Sequence, residues 1–245
     1  MTLLAQALTS ATSASGVDEP SCYSRVVNDW VCGAYLRDRR SELLDALVEH
    51  LQITVVSVLA GLLVAFPLAL VARRLPRLEA GILGATTGIY TIPSLALFPL
   101  LVPFTGISAT TVVIGLALYA LTILVRSALD GLRAVPDDVR EAARGLGYGP
   151  TRQLFRIELP LAVPVMMAGL RVATVSTVAL TTVGTLVDSG GLGNLIRDGV
   201  STNFRAELLA ASVLCVLLAV FLDVLIVGAQ RLITPWTRGG QGATA

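Results

Sequence analysis

The chain has 245 residues, of which 54% are hydrophobic and only 14% charged, with a net charge of +1 and a mean hydropathy of +0.77. A soluble domain carries about 25% charged residues, so this composition excludes an ordinary soluble fold and points to helices that close their own hydrogen bonds in lipid. A balanced charge offers no electrostatic case for nucleic acid, and the 18 basic residues are all arginine, which removes the lysine that a phosphate-binding P-loop requires.

In chain order, residues 1–16 lack the basic start and long apolar core of a secretory leader. Residues 1–46 read as a polar N-terminal extension. Cys22 and Cys32 lie in it with nine residues between them. A bridge would pin the extension if it faces an oxidising compartment; two free thiols are the other reading. Five apolar runs follow, each near the roughly 20 residues that a membrane helix needs. They are expected at about 51–72, 80–102, 107–126, 161–187 and 208–230. The second and third form one charge-free stretch, with a turn expected at VPFTGIS, residues 102–108. Residues 47–231 are expected to form one membrane domain, and 232–245 a tail. Cys215 falls in the fifth run and reads as packing.

Eleven arginines fall on one set of connections and six on the other, with Arg171 inside a span. Arginine-rich connections are the cytoplasmic ones. The expected topology places the N-terminus outside, and residues 127–160 and the C-terminus inside. His50 is the only histidine, and no Cys/His/Asp cluster has metal-ligand spacing, so no metal site and no hydrolytic site is expected.

Two buried-looking charges interrupt the apolar runs, Arg171 and Asp223. Ionisable groups inside a membrane are functional or paired, and a pairing of these two is the expectation. Tyr90, Thr91, Pro93, Ser94 and Tyr119 are the polar or helix-breaking candidates for a solute path. Two tyrosines apart in sequence fall short of the several aromatic faces of a quaternary-ammonium cage. Gly190, Gly191 and Gly193 read as a tight turn, because no strand precedes them to make a nucleotide loop.

The polar insert EAARGLGYGPTRQLFRIELP, residues 141–160, stands out against these runs. It reads as a short helix N-capped at Asp137 or Asp138, stopped at Gly147, followed by a second helix from Pro150 that ends at Leu159-Pro160. Glu141, Ala142, Ala143, Gly147, Ile157, Leu159 and Pro160 resemble, at the family spacing, the EAA signature of ABC-importer permeases. The resemblance implies an all-α, five-span, methionine-importer-like permease fold. It implies that the first helix of the insert docks on an ATPase subunit, which binds ATP and Mg. The assembly implied has a second permease, identical or related, and an external binding protein, in the cytoplasmic membrane. TIPSLALF (91–98), ELPLAVPVMMAGLRVATV (158–175) and SGGLGNLI (189–196) are similar to permeases for glycine betaine, choline, carnitine or proline betaine. Asp188 departs from that pattern, where a small neutral residue is expected. The alternatives are a permease for another small polar solute such as an amino acid, and an ion-coupled secondary transporter without an ATPase. No internal repeat supports the latter.

Overall fold

The computed structural model describes residues 21–238, all of them helical or irregular, with no strand among them. The helices are α1 (Gly33–Asp38), α2 (Arg40–Arg74), α3 (Pro76–Thr91), α4 (Ser94–Thr105), α5 (Ala109–Arg133), α6 (Asp137–Gly145), α7 (Pro150–Gln153), α8 (Leu159–Thr181), α9 (Leu192–Ser201) and α10 (Arg205–Ile233). A π-turn, Leu154–Glu158, joins α7 to α8, and 3₁₀ turns follow at Thr182–Val187 and Pro235–Arg238. The residues 1–20 and 239–245, which include the start of the extension and the second half of the tail, lie outside the described chain.

Four stretches are long and apolar enough to cross a membrane: α2, α5, α7 through the 3₁₀ turn (Pro150–Val187) and α10. The remaining expected span, the second, is not straight. It is the pair α3–α4, bent by 100°. Ile92 before Pro93 is extended (ψ 125°), as the proline ring demands of its predecessor, and the chain turns there. Tyr119 of α5 donates its hydroxyl to the Ile92 carbonyl, so the bend does not leave that acceptor bare. The expected turn at 102–108 is present at Gly106 (φ +77°).

The centre is α5, packed between α2 and α8. Ala65, Ala69 and Ala72 of α2 meet Ala120, Leu124 and Ala128 of α5. On the other side of α5, Gly169 lies over Ser127 and Gly131 over Ala162, so close that a methyl group at either glycine would collide. Apolar side chains gain nothing by leaving lipid for protein, so small residues that let backbones approach are what hold such helices together. Thr54 of α2 and Thr181 of α8 add a buried hydroxyl pair at 3.2 Å.

Two helices outrun the lengths expected from hydropathy. α2 is 35 residues, roughly 52 Å, because residues 40–50 continue the helix as a polar stalk. The second helix of the insert does not end at Leu159-Pro160. It widens into the π-turn and runs on as α8, with Pro160 in the first turn of α8, where its missing N–H is harmless.

Candidate functional site

The insert is built from local rules. α6 begins after Pro136, which is its N-cap; Asp137 and Asp138 therefore sit in the first turn rather than at the cap. Their charges favour the positive end of the helix dipole all the same. Its end is a Schellman turn. Gly147 (φ +81°) donates to the Arg144 carbonyl at 2.9 Å, and Tyr148 donates to Ala143 at 3.1 Å. Glycine takes this left-handed backbone without penalty.

One side of the elbow is fastened to the bundle. Val135 and Ala143 are buried, and Arg140 donates to the Leu132 carbonyl at the end of α5 (2.6 Å) while pairing with Asp137 (2.8 Å). The opposite side is bare. Glu141, Ala142, Gly145 and Gly147 are exposed, and Leu146 is 78% exposed. Helical spacing stacks Glu141 over Gly145 and Ala142 over Leu146, leaving an apolar knob beside a carboxylate on a flat, small-residue surface. Ile157, Leu159 and Pro160 are half-buried at the join to α8.

The insert is also tied to α2 by residues that the sequence reading did not single out. Glu158 is only 3% exposed; it pairs with Arg73 at the end of α2 and accepts from Gln153 Nε2 at 2.7 Å. A cleft of about 330 Å³ opens beside this pair, lined by Arg73, Arg74, Arg144 and Tyr148. The sequence signal for the pair was a lone glutamate just before an apolar run, answered by an arginine pair closing another run.

A second opening, of about 640 Å³, lies between α3, α5 and α8. It takes in Tyr90 but not the other four path candidates. Thr91 and Pro93 are exposed at the bend, and Ser94 is half-buried there. Tyr119 is buried, yet its ring stands edge-on to Tyr90 with centroids 5.7 Å apart, so the two tyrosines, distant in sequence, form one pair. Arg126 and Asp130 also line this groove, both exposed. Sequence reasoning placed Arg126 at the end of a span, because hydropathy falls there while the helix runs on to Arg133.

Arg171 and Asp223 face each other across α8 and α10 in a two-pronged contact, Nε to Oδ1 at 2.7 Å and Nη2 to Oδ2 at 2.8 Å. Cys22 and Cys32 are joined by a disulfide. The bridged segment is packed on the start of α10. Tyr35 is fully buried against Phe204 (5.2 Å, edge-on), and Asn28 donates to the Asn203 carbonyl and accepts from the Arg205 N–H. His50 is buried under Gly191 and donates from Nε2 to the Val178 carbonyl at 3.0 Å. Asp188 occupies a left-handed position (φ +56°), which a short polar side chain tolerates better than most non-glycine residues, and lies 3.7 Å from Arg197.

The family model for the "binding-protein-dependent transport system inner membrane component" matches residues 57–239. The chain belongs to this family. It is therefore a multi-pass permease subunit of the inner membrane. Among curated proteins it is 32% identical over 201 residues to the choline transport system permease protein OpuBB of Bacillus subtilis, covering 82% of this chain and 93% of that one. It is 32% identical to the osmoprotectant import permease protein OsmW of Salmonella typhimurium, covering 82% and 96%. Among solved structures, an inward-facing methionine ABC transporter, MetNI, superposes with a TM-score of 0.69 at 23% identity, over 81% of this chain and 97% of that one. At that identity the likeness is one of fold, and it is the permease fold that the motif resemblance implied.

Proposed function

We propose that this permease carries an osmoprotectant of the quaternary-ammonium kind across the cytoplasmic membrane, by alternating access driven by a separate ATPase subunit. The observation that carries the coupling is the bare face of α6: Glu141, Ala142 and Leu146 are exposed while Arg140 and Ala143 hold the helix to the bundle. A surface so placed transmits a push. The ATPase takes the knob of Leu146 and the flat alanine surface, and displacement of α6 reaches α5 through Arg140–Leu132 and α2 through Glu158–Arg73. ATP and Mg belong to that partner chain, which supplies the P-loop lysine that this sequence lacks. The complete importer has two permeases, two ATPases and an external binding protein, with α6 on the cytoplasmic side and the N-terminal disulfide outside. The cargo class follows from the relatives, whose names specify choline, glycine betaine, carnitine or osmoprotectants generally. Transport couples to ATP because the solute and the binding protein favour one of the two states over the other.

The test is co-purification from the native membrane in mild detergent. A P-loop ATPase should accompany the parent chain and be lost from the Glu141→Arg, Gly147→Asp double variant, whose changes lie on the exposed face and at the elbow. Retention of the ATPase by the variant would remove α6 from the docking site. Uptake of labelled glycine betaine and choline by cells that carry the importer checks the cargo; transport of neither would point to another solute.

A further inference from the structure

We infer that the bridged segment, residues 21–38, is seated in the headgroup layer of the membrane and that Trp30 is its anchor to lipid. The inference needs only the membrane fold and is independent of the cargo.

One side of this segment is spent on the bundle. Cys32 and Tyr35 are buried with Leu192 of α9 and Ala206 of α10, and Asn28 ties the loop to Asn203 and Arg205 at 2.7 and 3.1 Å. The other side is apolar and bare. Val26 is 87% exposed, Val31 is 81% exposed and Trp30 is half exposed. Large apolar side chains gathered in one short loop are a costly surface to offer to water. The disulfide and the Asn28 contacts keep the loop from turning them inward.

The register of α10 fixes their depth. The Arg205 guanidinium lies over the Trp30 ring, 5.6 Å from its centroid, and Arg205 is the first residue of α10. The apolar run of that helix begins at Leu208, only roughly 4.5 Å further along the axis. The headgroup layer on each face of a bilayer is about 5–7 Å thick, so the indole falls inside it. The side of the helix agrees with the depth. At helical spacing Arg205 heads a stripe that continues through Val213, Val216, Val220 and Val224, and all four valines stay exposed in the bundle. In a membrane helix such a stripe meets acyl chains. Trp30 stands at its head, so the bare side of the loop continues the lipid-facing side of the span.

The chemistry fits the position. Indole has an apolar body and one N–H donor, which suits a boundary with acyl chains on one side and water on the other. The Trp30 N–H makes no hydrogen bond among the described residues, which leaves it for a lipid carbonyl or phosphate oxygen. A protein docking from the aqueous side would have to reach between headgroups to cover this ring, so lipid is the occupant. Anchored in this way, the loop holds the start of α10 and, through Leu43, the start of α2 at a fixed height in the membrane.

The chain has two tryptophans, and Trp236 lies beyond the other end of α10, so Trp236→Phe leaves Trp30 as the only indole. The full chain with this change is reconstituted in vesicles of phosphatidylcholine and phosphatidylglycerol. The acyl chains are plain, brominated just below the headgroup, or brominated near their ends; bromine quenches an indole on contact. Trp30 is expected to lose most of its emission to the shallow bromines and little to the deep ones. Equal emission in plain and brominated vesicles overturns the proposal, whether the ring is then covered by a binding protein, by a second permease or by water alone. Stronger quenching by the deep bromines also overturns it, because that places the ring in the hydrocarbon. Where Trp236→Phe fails to assemble, the difference in emission between the parent and Trp30→Phe in the same vesicles carries the same reading, with the same outcomes.

Discussion

The two polar regions of this permease, the insert at residues 137–158 and the bridged cap at residues 21–38, hold their shapes in opposite ways. The insert is made locally. Its elbow is closed by hydrogen bonds between residues three and five apart, its helix starts behind a proline, and its clamp reaches back only from Arg140 to Leu132. The cap is made at long range: Asn28 is bonded to Asn203 and Arg205, Tyr35 to the ring of Phe204, across more than 160 residues of chain. The contrast shows which of them is able to move as a unit. A locally closed elbow keeps its form while it is displaced, whereas a cap sewn to α10 holds its form only while docked.

Breaking the one long-range tie of the insert tests that contrast hardest. Glu158→Ala leaves the partly exposed Arg73 without its carboxylate in a cleft that it shares with Arg74 and Arg144, and leaves Gln153 without its acceptor, a loss of about 1–3 kcal/mol. The thermal midpoint of the purified complex should fall, and hydrogen exchange should rise at the join of the insert to α2 while α6 keeps its protection. Equal loosening of α6 itself would show that the elbow is not self-sufficient. In the cap, Cys22→Ser with Cys32→Ser opens a loop whose ends are ten residues apart, worth about 3 kcal/mol at most by chain entropy. Exchange should then rise in residues 21–38 and at 203–206 together, because the two sides of the docking surface are exposed at once. A rise confined to residues 21–38 would make the cap a local structure after all. The bridge should also yield to a membrane-impermeant reductant on intact cells, and resistance in sealed right-side-out membranes would invert the proposed topology.

The smallest effect is expected between these regions, at Arg171–Asp223. Both side chains are partly exposed, so loss of this pair is expected to cost less than loss of the buried Glu158. Arg171→Asp should impair assembly of α8 on α10, and the exchange Arg171→Asp with Asp223→Arg should restore it. A double variant as defective as the single would show that the contact is not what matters there.

Much of the site was legible because it is local chemistry. The spacing of Glu141, Ala142, Ala143 and Gly147 announced a helix and a left-handed stop, and Gly147 is at that stop. What escaped was whatever depends on partners far along the chain. Glu158 reads as one more loop charge until Arg73 is beside it. Tyr90 and Tyr119 read as isolated until the bend at Pro93 sets their rings 5.7 Å apart. Arg126 reads as the end of a span because hydropathy falls there, although the helix continues for two more turns.

By itself the sequence determined that the chain is a bundle of membrane helices with one polar elbow and no lysine. Those properties follow from hydropathy, local turn chemistry and residue type, each readable over a few positions. Only the tertiary structure decided which charges are paired and which are left facing a groove. Pairing depends on how near the glycine and alanine contacts Gly61, Gly131 and Gly169 allow α2, α5 and α8 to approach, and that distance is a property of the packed bundle rather than of any single helix.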